Sequence, residues 1–129
     1  MKNCGIRFEG GNHTLHFGDG IRLENVNFFF EKQKGTISIG DGTWIGAQSE
    51  LSAFDNSSIV IGDGCIFAKQ IMLRTSDSHV IKDSAGNIIN MPKDIVIGSH
   101  VWLGQQVFVL KGAVIPDGCS SIPEIYGTA

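Results

Sequence analysis

A four-residue phrase, an apolar residue followed by Gly-Asp-Gly, returns along the chain and restricts the folds open to it. Copies spaced 22 residues apart are Phe17-Gly18-Asp19-Gly20, Ile39-Gly40-Asp41-Gly42 and Ile61-Gly62-Asp63-Gly64. Two altered copies, 18 residues apart, are Ile97-Gly98-Ser99-His100 and Ile115-Pro116-Asp117-Gly118. A fixed period near 20 residues is typical of a solenoid, in which each coil packs only on its neighbours.

A finer period of six runs inside the repeat. Its apolar positions are Ile39, Ile45, Leu51, Ile61, Phe67, Leu73, Ile97, Leu103, Val109 and Ile115. Mostly small residues follow them four positions later: Thr43, Ser49, Cys65, Val101, Val107, Ala113 and Cys119. This predicts triangular coils of three short parallel strands, five or six coils in all, with four residues added at one corner of each 22-residue coil. An antiparallel sandwich would instead predict strands of irregular length. We expect little helix, because no long apolar stripe of period 3.6 is present.

Composition narrows the classes of protein. Seventeen glycines in 129 residues suit sharp corners. A formal charge of −3 without a Lys/Arg cluster argues against nucleic acid or an anionic membrane as partner. We expect a single domain over 1–129, with no membrane span and no signal peptide, in the cytoplasm. Three cysteines without a CxxC motif predict no disulfide framework, and Cys65 and Cys119 occupy the small interior position.

Three consecutive aromatic residues, Phe28-Phe29-Phe30, occur early in the chain. Successive side chains of a strand point to opposite faces, so at least one of these rings should face outward. Two interpretations remain open: the ring is covered by the inserted corner residues, or it forms a contact between subunits.

The hexads stop after Leu73 and resume at Asp94-Ile95-Val96-Ile97. The polar stretch between them carries a turn signal at Asp83-Ser84-Ala85-Gly86-Asn87 and predicts an arm at about 79–94. Interruptions of a solenoid commonly serve binding. His79 lies at the base of this arm, and an imidazole with an ordinary pKa of ~6.5 suits a general base. Asp77 could orient His79, contact a substrate or simply form a turn.

The hexads, together with Thr75-Ser76-Asp77-Ser78-His79, Ile88-Ile89-Asn90 and the segment from Ile95 to Gly104, resemble the hexapeptide-repeat acetyltransferases. The nearest members are sugar and polysaccharide O-acetyltransferases and the maltose, galactoside and xenobiotic acetyltransferases. The resemblance implies an all-β, left-handed parallel β-helix. It also implies an acetyl-CoA-dependent enzyme in which His79 removes the proton of a sugar hydroxyl, whose oxygen attacks the thioester directly.

The resemblance also implies the remaining site residues. Gly104, Lys111, Gly112 and Ala113 would line a groove for acetyl-CoA, with Lys111 facing a phosphate. Trp102 would lie beside the acceptor, together with Asp77. A homotrimer is implied as well, and no metal is expected.

Other functions remain open on the sequence alone. Members of the family continue for a further coil beyond the phrase at Ile115, whereas the tail here carries no Lys or Arg. A non-catalytic trimeric β-helix without CoA binding is therefore one alternative. An N-acyltransferase acting on an amino sugar is a second. A zinc enzyme resembling the γ-type carbonic anhydrases would need three histidine ligands, for which His79 and His100 are candidates. His13 and His16 are interpreted as surface residues and His100 as a corner residue.

Overall fold

The computed structural model describes residues 3–77, 80–121 and 125–126, and within them all regular structure is β-strand. The strands are β1 Gly5–Phe8, β2 Thr14–Phe17, β3 Arg22–Leu23, β4 Val26–Glu31, β5 Thr36–Ile39, β6 Trp44–Ile45, β7 Ser49–Phe54, β8 Ser58–Ile61, β9 Ile66–Phe67, β10 Met72–Arg74, β11 Ile95–Ile97, β12 Trp102–Leu103, β13 Phe108–Val109, β14 Val114–Ile115, β15 Ser120–Ser121 and β16 Ile125–Tyr126. The prediction of an all-β chain is confirmed.

Every third strand joins the same parallel sheet, so the chain winds into a solenoid of about five turns with three faces. The first face is β1-β4-β7-β10-β13-β16, the second is β2-β5-β8-β11-β14, and the third is β3-β6-β9-β12-β15. Pairing is parallel between neighbouring coils throughout, for example Leu51 with Leu73 and Leu73 with Val109. The predicted parallel β-helix is confirmed; its left hand stays a prediction from the resemblance.

The three corners differ in what they carry. We call the turn from first to second face the first corner (9–13, 32–35, 55–57, 75–94 and 110–113). The second corner (18–21, 40–43, 62–65, 98–101 and 116–119) holds every copy of the repeated phrase after its apolar residue. The third corner (24–25, 46–48, 68–71 and 104–107) returns the chain to the first face. Each corner stacks on the same corner of the next coil, so features repeated in sequence form ladders in space.

The core fills the interior of the prism. The ten apolar positions of the six-residue period are all buried, as predicted, and Cys65 joins them. Cys119 is half-buried against the same cluster. Buried hydroxyls are satisfied locally: the Thr43 Oγ1 donates to the carbonyl oxygen of Gly62 and accepts from the Cys65 amide. The interior therefore needs small residues at the corners and larger ones along the faces.

The longer coils are widened at the first corner. In β4 and β7 the first-face strand runs six residues, whereas in β13 it runs two. The additional length adds Phe30 and Ala53 to the core of the first face and Ile37 and Ile59 to that of the second. The four added residues thus belong to one corner, as predicted. The arm leaves where the wide coils meet the narrow ones.

The Phe28-Phe29-Phe30 run follows the alternation of strand β4. Phe28 and Phe30 are buried, and Phe29 is half-buried on the outer side of the first face. The prediction of one outward ring is confirmed. Across the part of the chain that the structure describes, no helix is long and apolar enough to span a membrane.

Candidate functional site

The interruption of the repeat forms an arm between β10 and β11. A β-bridge pairs Lys82 with Ile88, and the Ile89 amide donates to the carbonyl oxygen of Ile81 at 2.9 Å, so the arm folds back on itself as a hairpin. At its tip the Asp83 Oδ1 accepts the amides of Ala85 and Asn87, both at 2.9 Å. These bonds hold the pKa of Asp83 below its usual range, the Asn87 amide contributing most. The predicted turn is confirmed.

The root of the arm is pinned to the coil before it. Thr75 is fully buried, and its Oγ1 accepts the Phe54 amide at 2.9 Å and the Ser57 hydroxyl at 2.6 Å. The Lys93 amide donates to the Thr75 carbonyl oxygen at 3.0 Å, which joins the two ends of the arm. The chain therefore enters and leaves the arm at one fixed point of the first corner.

Asp77 is held from two sides. The Lys111 Nζ lies 2.7 Å from its Oδ2, and the Asn90 Nδ2 donates to the same oxygen at 3.2 Å. Lys111 is 3% exposed, whereas the Asp77 side chain is 41% exposed. The hydrogen bond from Lys111 is the main reason that the pKa of Asp77 lies below its usual value. We call Asp77, Asn90 and Lys111 the arm clamp, because it ties both ends of the arm to the following coil.

The predicted base, His79, lies outside the described residues, two positions beyond Asp77. Its role stays a prediction. The structure describes the chain on both sides of it: Ser76 is buried, Asp77 is clamped, and Val80 is exposed. Val80 also lines a cavity of about 60 Å³ between arm and first corner, with Phe54, Ile88, Met91 and Pro92.

Trp102 does not lie beside the arm root. It is on β12, points outward from the third face and is 57% exposed. Its register neighbours are Ile66 and, one coil earlier, Trp44, and both are exposed. The third face lies opposite the first corner, across a core roughly 10 Å thick. A single protomer therefore keeps Trp102 away from the arm clamp.

The residues predicted to bind acetyl-CoA also fall on two different corners. Gly104 follows β12 at the third corner, whereas Lys111, Gly112 and Ala113 form the first corner directly after the arm. Gly112 adopts a φ of 81°, and its amide donates to the Asp94 carbonyl oxygen at 3.2 Å. Ala113 is buried at this corner. The ammonium of Lys111 is buried against Asp77, a different environment from an open groove, and its contact with a phosphate stays a prediction.

The remaining histidines and cysteines lie elsewhere. The His13 Nδ1 accepts the Gly35 amide at 3.0 Å, so its Nε2 donates to the Glu9 carbonyl oxygen at 2.6 Å. His16 is exposed on the second face, and His100 occupies the second corner with a φ of 57°. Burial raises the pKa of the Cys65 thiol. Within 3–77, 80–121 and 125–126, no three His, Cys, Asp or Glu side chains converge as metal ligands would.

Known proteins match both the sequence and this fold. The chain is 35% identical to a polysialic acid O-acetyltransferase of Neisseria meningitidis over 108 residues, 83% of this chain and 49% of that protein. It belongs to the hexapeptide-repeat acetyltransferases. Within this family the chain spans about half the length of the meningococcal relative. No family model matches the chain.

Two solved structures share the fold. The crystal structure of the polysialic acid-specific acetyltransferase NeuO superimposes with a TM-score of 0.66 at 21% identity, covering 98% of this chain and 89% of that one. AntD, an N-acyltransferase from Bacillus cereus solved with dTDP and coenzyme A, has a TM-score of 0.56 at 12% identity, covering 90% and 68%. Both an O-acetyltransferase and an N-acyltransferase thus use this hexapeptide-repeat fold.

Two features of the site were not predicted from the sequence. The first is the partnership of Lys111 with Asp77 and Asn90, residues 34 and 13 positions apart from each other's partner. The second is an open groove on the first face beside the arm root, lined by residues of four coils. A weak signal for the first was present, because Asn90 and Lys111 each lie just before re-entry into a second-face strand.

Proposed function

We propose that the protein is an acetyl-CoA-dependent O-acetyltransferase acting on a sugar hydroxyl of a polysaccharide. The observation that carries the proposal is the 35% identity with a polysialic acid O-acetyltransferase over 108 residues, a stretch of 83% of the chain. A match of that length necessarily includes several coils, so it extends well beyond one copy of the repeat.

In the proposed reaction, His79 takes the proton of the acceptor hydroxyl. The oxygen attacks the carbonyl carbon of the acetyl thioester, and the tetrahedral intermediate collapses with loss of the CoA thiolate. The thiolate then takes the proton from the His79 imidazolium, so an ester forms as a thioester breaks. A general base contributes about 10²–10⁴-fold. Bringing the two substrates together contributes up to about 7–11 kcal/mol where alignment is ideal.

The arm clamp supports this assignment. It holds the chain within two residues of His79 through an ion pair of 2.7 Å, and Thr75 fixes the same segment to the preceding coil. Proximity catalysis depends on such rigid placement, since small displacements of a reacting group are costly. In the proposal, the clamp positions the segment that carries the base.

A homotrimer with shared sites is part of the proposal. Trp44, Ile66 and Trp102 form an exposed apolar row on the third face, and exposed apolar patches mark interfaces. The arm also exposes Ile81, Ile89 and other apolar side chains. A neighbouring copy packed on the third face would bring its own arm root beside Trp102. It would likewise bring Gly104 and the first corner of two copies together at one groove for acetyl-CoA.

The test is acetyl transfer from acetyl-CoA to purified surface polysaccharide, followed by release of the CoA thiol. His79→Ala should lower the rate by at least about 10²-fold, because the hydroxyl then loses its base. The matched control is His16→Ala, which removes an exposed imidazole from the second face. Full activity of His79→Ala would refute the role of this residue.

Calorimetry with acetyl-CoA and analysis of the product separate the alternatives. Stoichiometric binding of acetyl-CoA excludes the non-catalytic β-helix, and its absence would favour it. Alkaline hydroxylamine cleaves an O-acetyl ester and leaves an acetamide intact. A product resistant to that treatment would assign the protein as an N-acyltransferase instead.

A further inference from the structure

A groove of about 200 Å³ crosses the outer side of the first face and ends at the arm root. Strand register places Arg7, Phe29, Ser52 and Arg74 in one row across β1, β4, β7 and β10. Parallel strands lie ~4.8 Å apart, so this row spans roughly 14 Å. Ser76, three residues before His79, lines the groove at the end of the arm.

The shape suits a segment of an extended chain better than an enclosed small molecule. Pockets for small ligands have volumes of about 300–1,000 Å³ and surround most of the ligand. This groove is smaller, open and aligned with the axis of the solenoid. A polymer lying along it would place one of its units over Phe29 while the next units continue toward the arm.

The chemistry of the groove is that of a carbohydrate site. The half-buried ring of Phe29 offers a flat apolar surface to the C–H face of a sugar. Around it stand the carboxylates of Glu31 and Glu50 and the guanidinium of Arg74. A hydroxyl group can donate to a carboxylate and accept from a guanidinium at the same time, so closely spaced groups of both kinds complement a polyhydroxylated ring.

The charges favour an uncharged glycan. Two arginines and three glutamates line the groove, which leaves a formal charge of −1. The Arg74 Nη2 lies 3.9 Å from the Glu50 Oε2, so part of the positive charge is already balanced. The chain as a whole carries −3. A polyanion approaching this surface is repelled, whereas a neutral glycan is not.

We propose that this groove is a binding site for an uncharged segment of the acceptor polysaccharide, with Phe29 as its stacking platform. The role as an acceptor site rests on the proposed acetyltransferase function. The binding of glycan in the groove does not, and can be measured without any transfer of acetyl groups.

The test is binding of the full-length protein to an array of immobilised glycans that holds neutral and sialylated oligosaccharides of equal length. We expect binding to neutral glycans, with an affinity that changes less than about twofold between 50 and 500 mM salt, because no counterions are released. Phe29→Ala should weaken this binding at least about tenfold, and Phe29→Tyr should restore it.

Two further variants control the experiment. Phe108→Ala removes an exposed ring from the same outer side of the first face, on the far side of the arm, and should leave glycan binding unchanged. Glu31→Lys changes the formal charge of the groove from −1 to +1 and should raise the binding of sialylated oligosaccharides. Circular dichroism of each variant checks that the fold is retained.

Preferential binding of the wild-type protein to sialylated glycans, absence of binding to any glycan, or binding unaffected by Phe29→Ala would each overturn the proposal. Failure of the acetyltransferase function is a separate result. It would appear as neutral-glycan binding that Phe29→Ala abolishes, with no acetyl transfer from acetyl-CoA to the bound glycans.

Discussion

At the scale of single residues, the repeated phrase builds a ladder along the second corner. The Asp41 Oδ1 accepts the Asp19 amide at 2.8 Å, and the Asp63 Oδ1 accepts the Asp41 amide at 2.7 Å. Ser99 replaces aspartate in the next coil and accepts the Asp63 amide through its hydroxyl at 3.0 Å. Each coil thus bonds its neighbour through a side chain, which explains why the phrase survives its altered copies.

The two glycines of the phrase serve different purposes. A Cβ on Gly40 would lie 2.6 Å from backbone atoms of Gly62 in the next coil. A Cβ on Gly42 would meet nothing within 4 Å, but its φ of 68° lies in the left-handed region. The first glycine allows the coils to approach, and the second allows the chain to turn.

This difference predicts unequal effects of the same substitution. Gly42→Ala should lower the free energy of unfolding by about 1–2 kcal/mol, the cost of a left-handed conformation for an L-residue. Gly40→Ala should cost about 3 kcal/mol or more, because the backbone of two coils must move apart. Urea unfolding of both variants measures this. Equal losses, or a larger loss at Gly42, would contradict the assignment of the two roles.

At the scale of elements, the arm is the part of the molecule that the hexads do not specify. Its tip closes on Asp83, and its root closes on Thr75 and on the arm clamp. The buried ammonium of Lys111 belongs to the coil that follows the arm. The stability of the arm root therefore depends on a long-range ion pair as well as on the local turn.

Breaking the arm clamp should reduce stability and activity together. Asp77→Asn removes the carboxylate from a lysine that is 3% exposed, and we expect a loss of about 1–2 kcal/mol, since Asp77 itself is partly solvated. Adding Lys111→Met should recover part of that stability by removing the buried charge. The rate of acetyl transfer should not recover, because Asp77 no longer holds the His79 segment.

Unfolding free energies and transfer rates of the single and double variants provide the measurement. If the double variant regains the wild-type rate, the clamp has no positioning role. If the KM for acetyl-CoA rises while kcat is unchanged, Lys111 contacts the donor, as the resemblance implied.

The pH dependence of stability follows from the direction of the shift at Asp77. Because Lys111 lowers the pKa of Asp77 in the folded state, its contribution is complete above the unfolded value of about 3.9. It is lost as the pH falls through the folded pKa. The difference in stability between wild type and Asp77→Asn should therefore be constant from pH 5 to 7 and shrink below about pH 4.

Chemical denaturation of both proteins across this range tests the prediction. Asp83 titrates in the same region because its pKa is also lowered, but it is present in both proteins and cancels in the difference. A gap that widens in acid would contradict the assigned role of the Asp77 carboxylate.

At the scale of the whole molecule, the triangular section separates groups that the proposed chemistry needs together. The arm root is at the first corner and Trp102 is on the opposite face. A shared site predicts complementation between two inactive variants. In mixed trimers of His79→Ala and Trp102→Ala at equal amounts, about a quarter of the sites would combine an intact His79 with an intact Trp102 from the neighbour.

Co-expression of the two variants, with acetyl transfer as the readout, measures this effect. Recovery to about a quarter of the wild-type rate is expected for a trimer with shared sites. The control pairs His79→Ala with the double variant His79→Ala/Trp102→Ala, which cannot form a complete site. No recovery in the first mixture would place both residues in one protomer's site or exclude Trp102 from it.

The sequence by itself determined the coils, because a solenoid core is built from local contacts that repeat. The residues of the six-residue period, such as Ile39 and Leu103, are buried as their spacing predicts, and the arm begins where that period fails. A regular period can be recognised without knowing which coil packs on which, since each coil meets only the next.

Only the tertiary structure decided which separated residues meet. Lys111 was expected to face a phosphate, yet the fold buries its ammonium against Asp77, 34 residues earlier. Phe29 and Arg74 line one groove because register aligns strands 22 residues apart on the same face. Pairings of this kind depend on corner length and on the alignment of coils. The identity of a single residue contains neither, so spacing predicted the frame and the folded chain assigned the contacts.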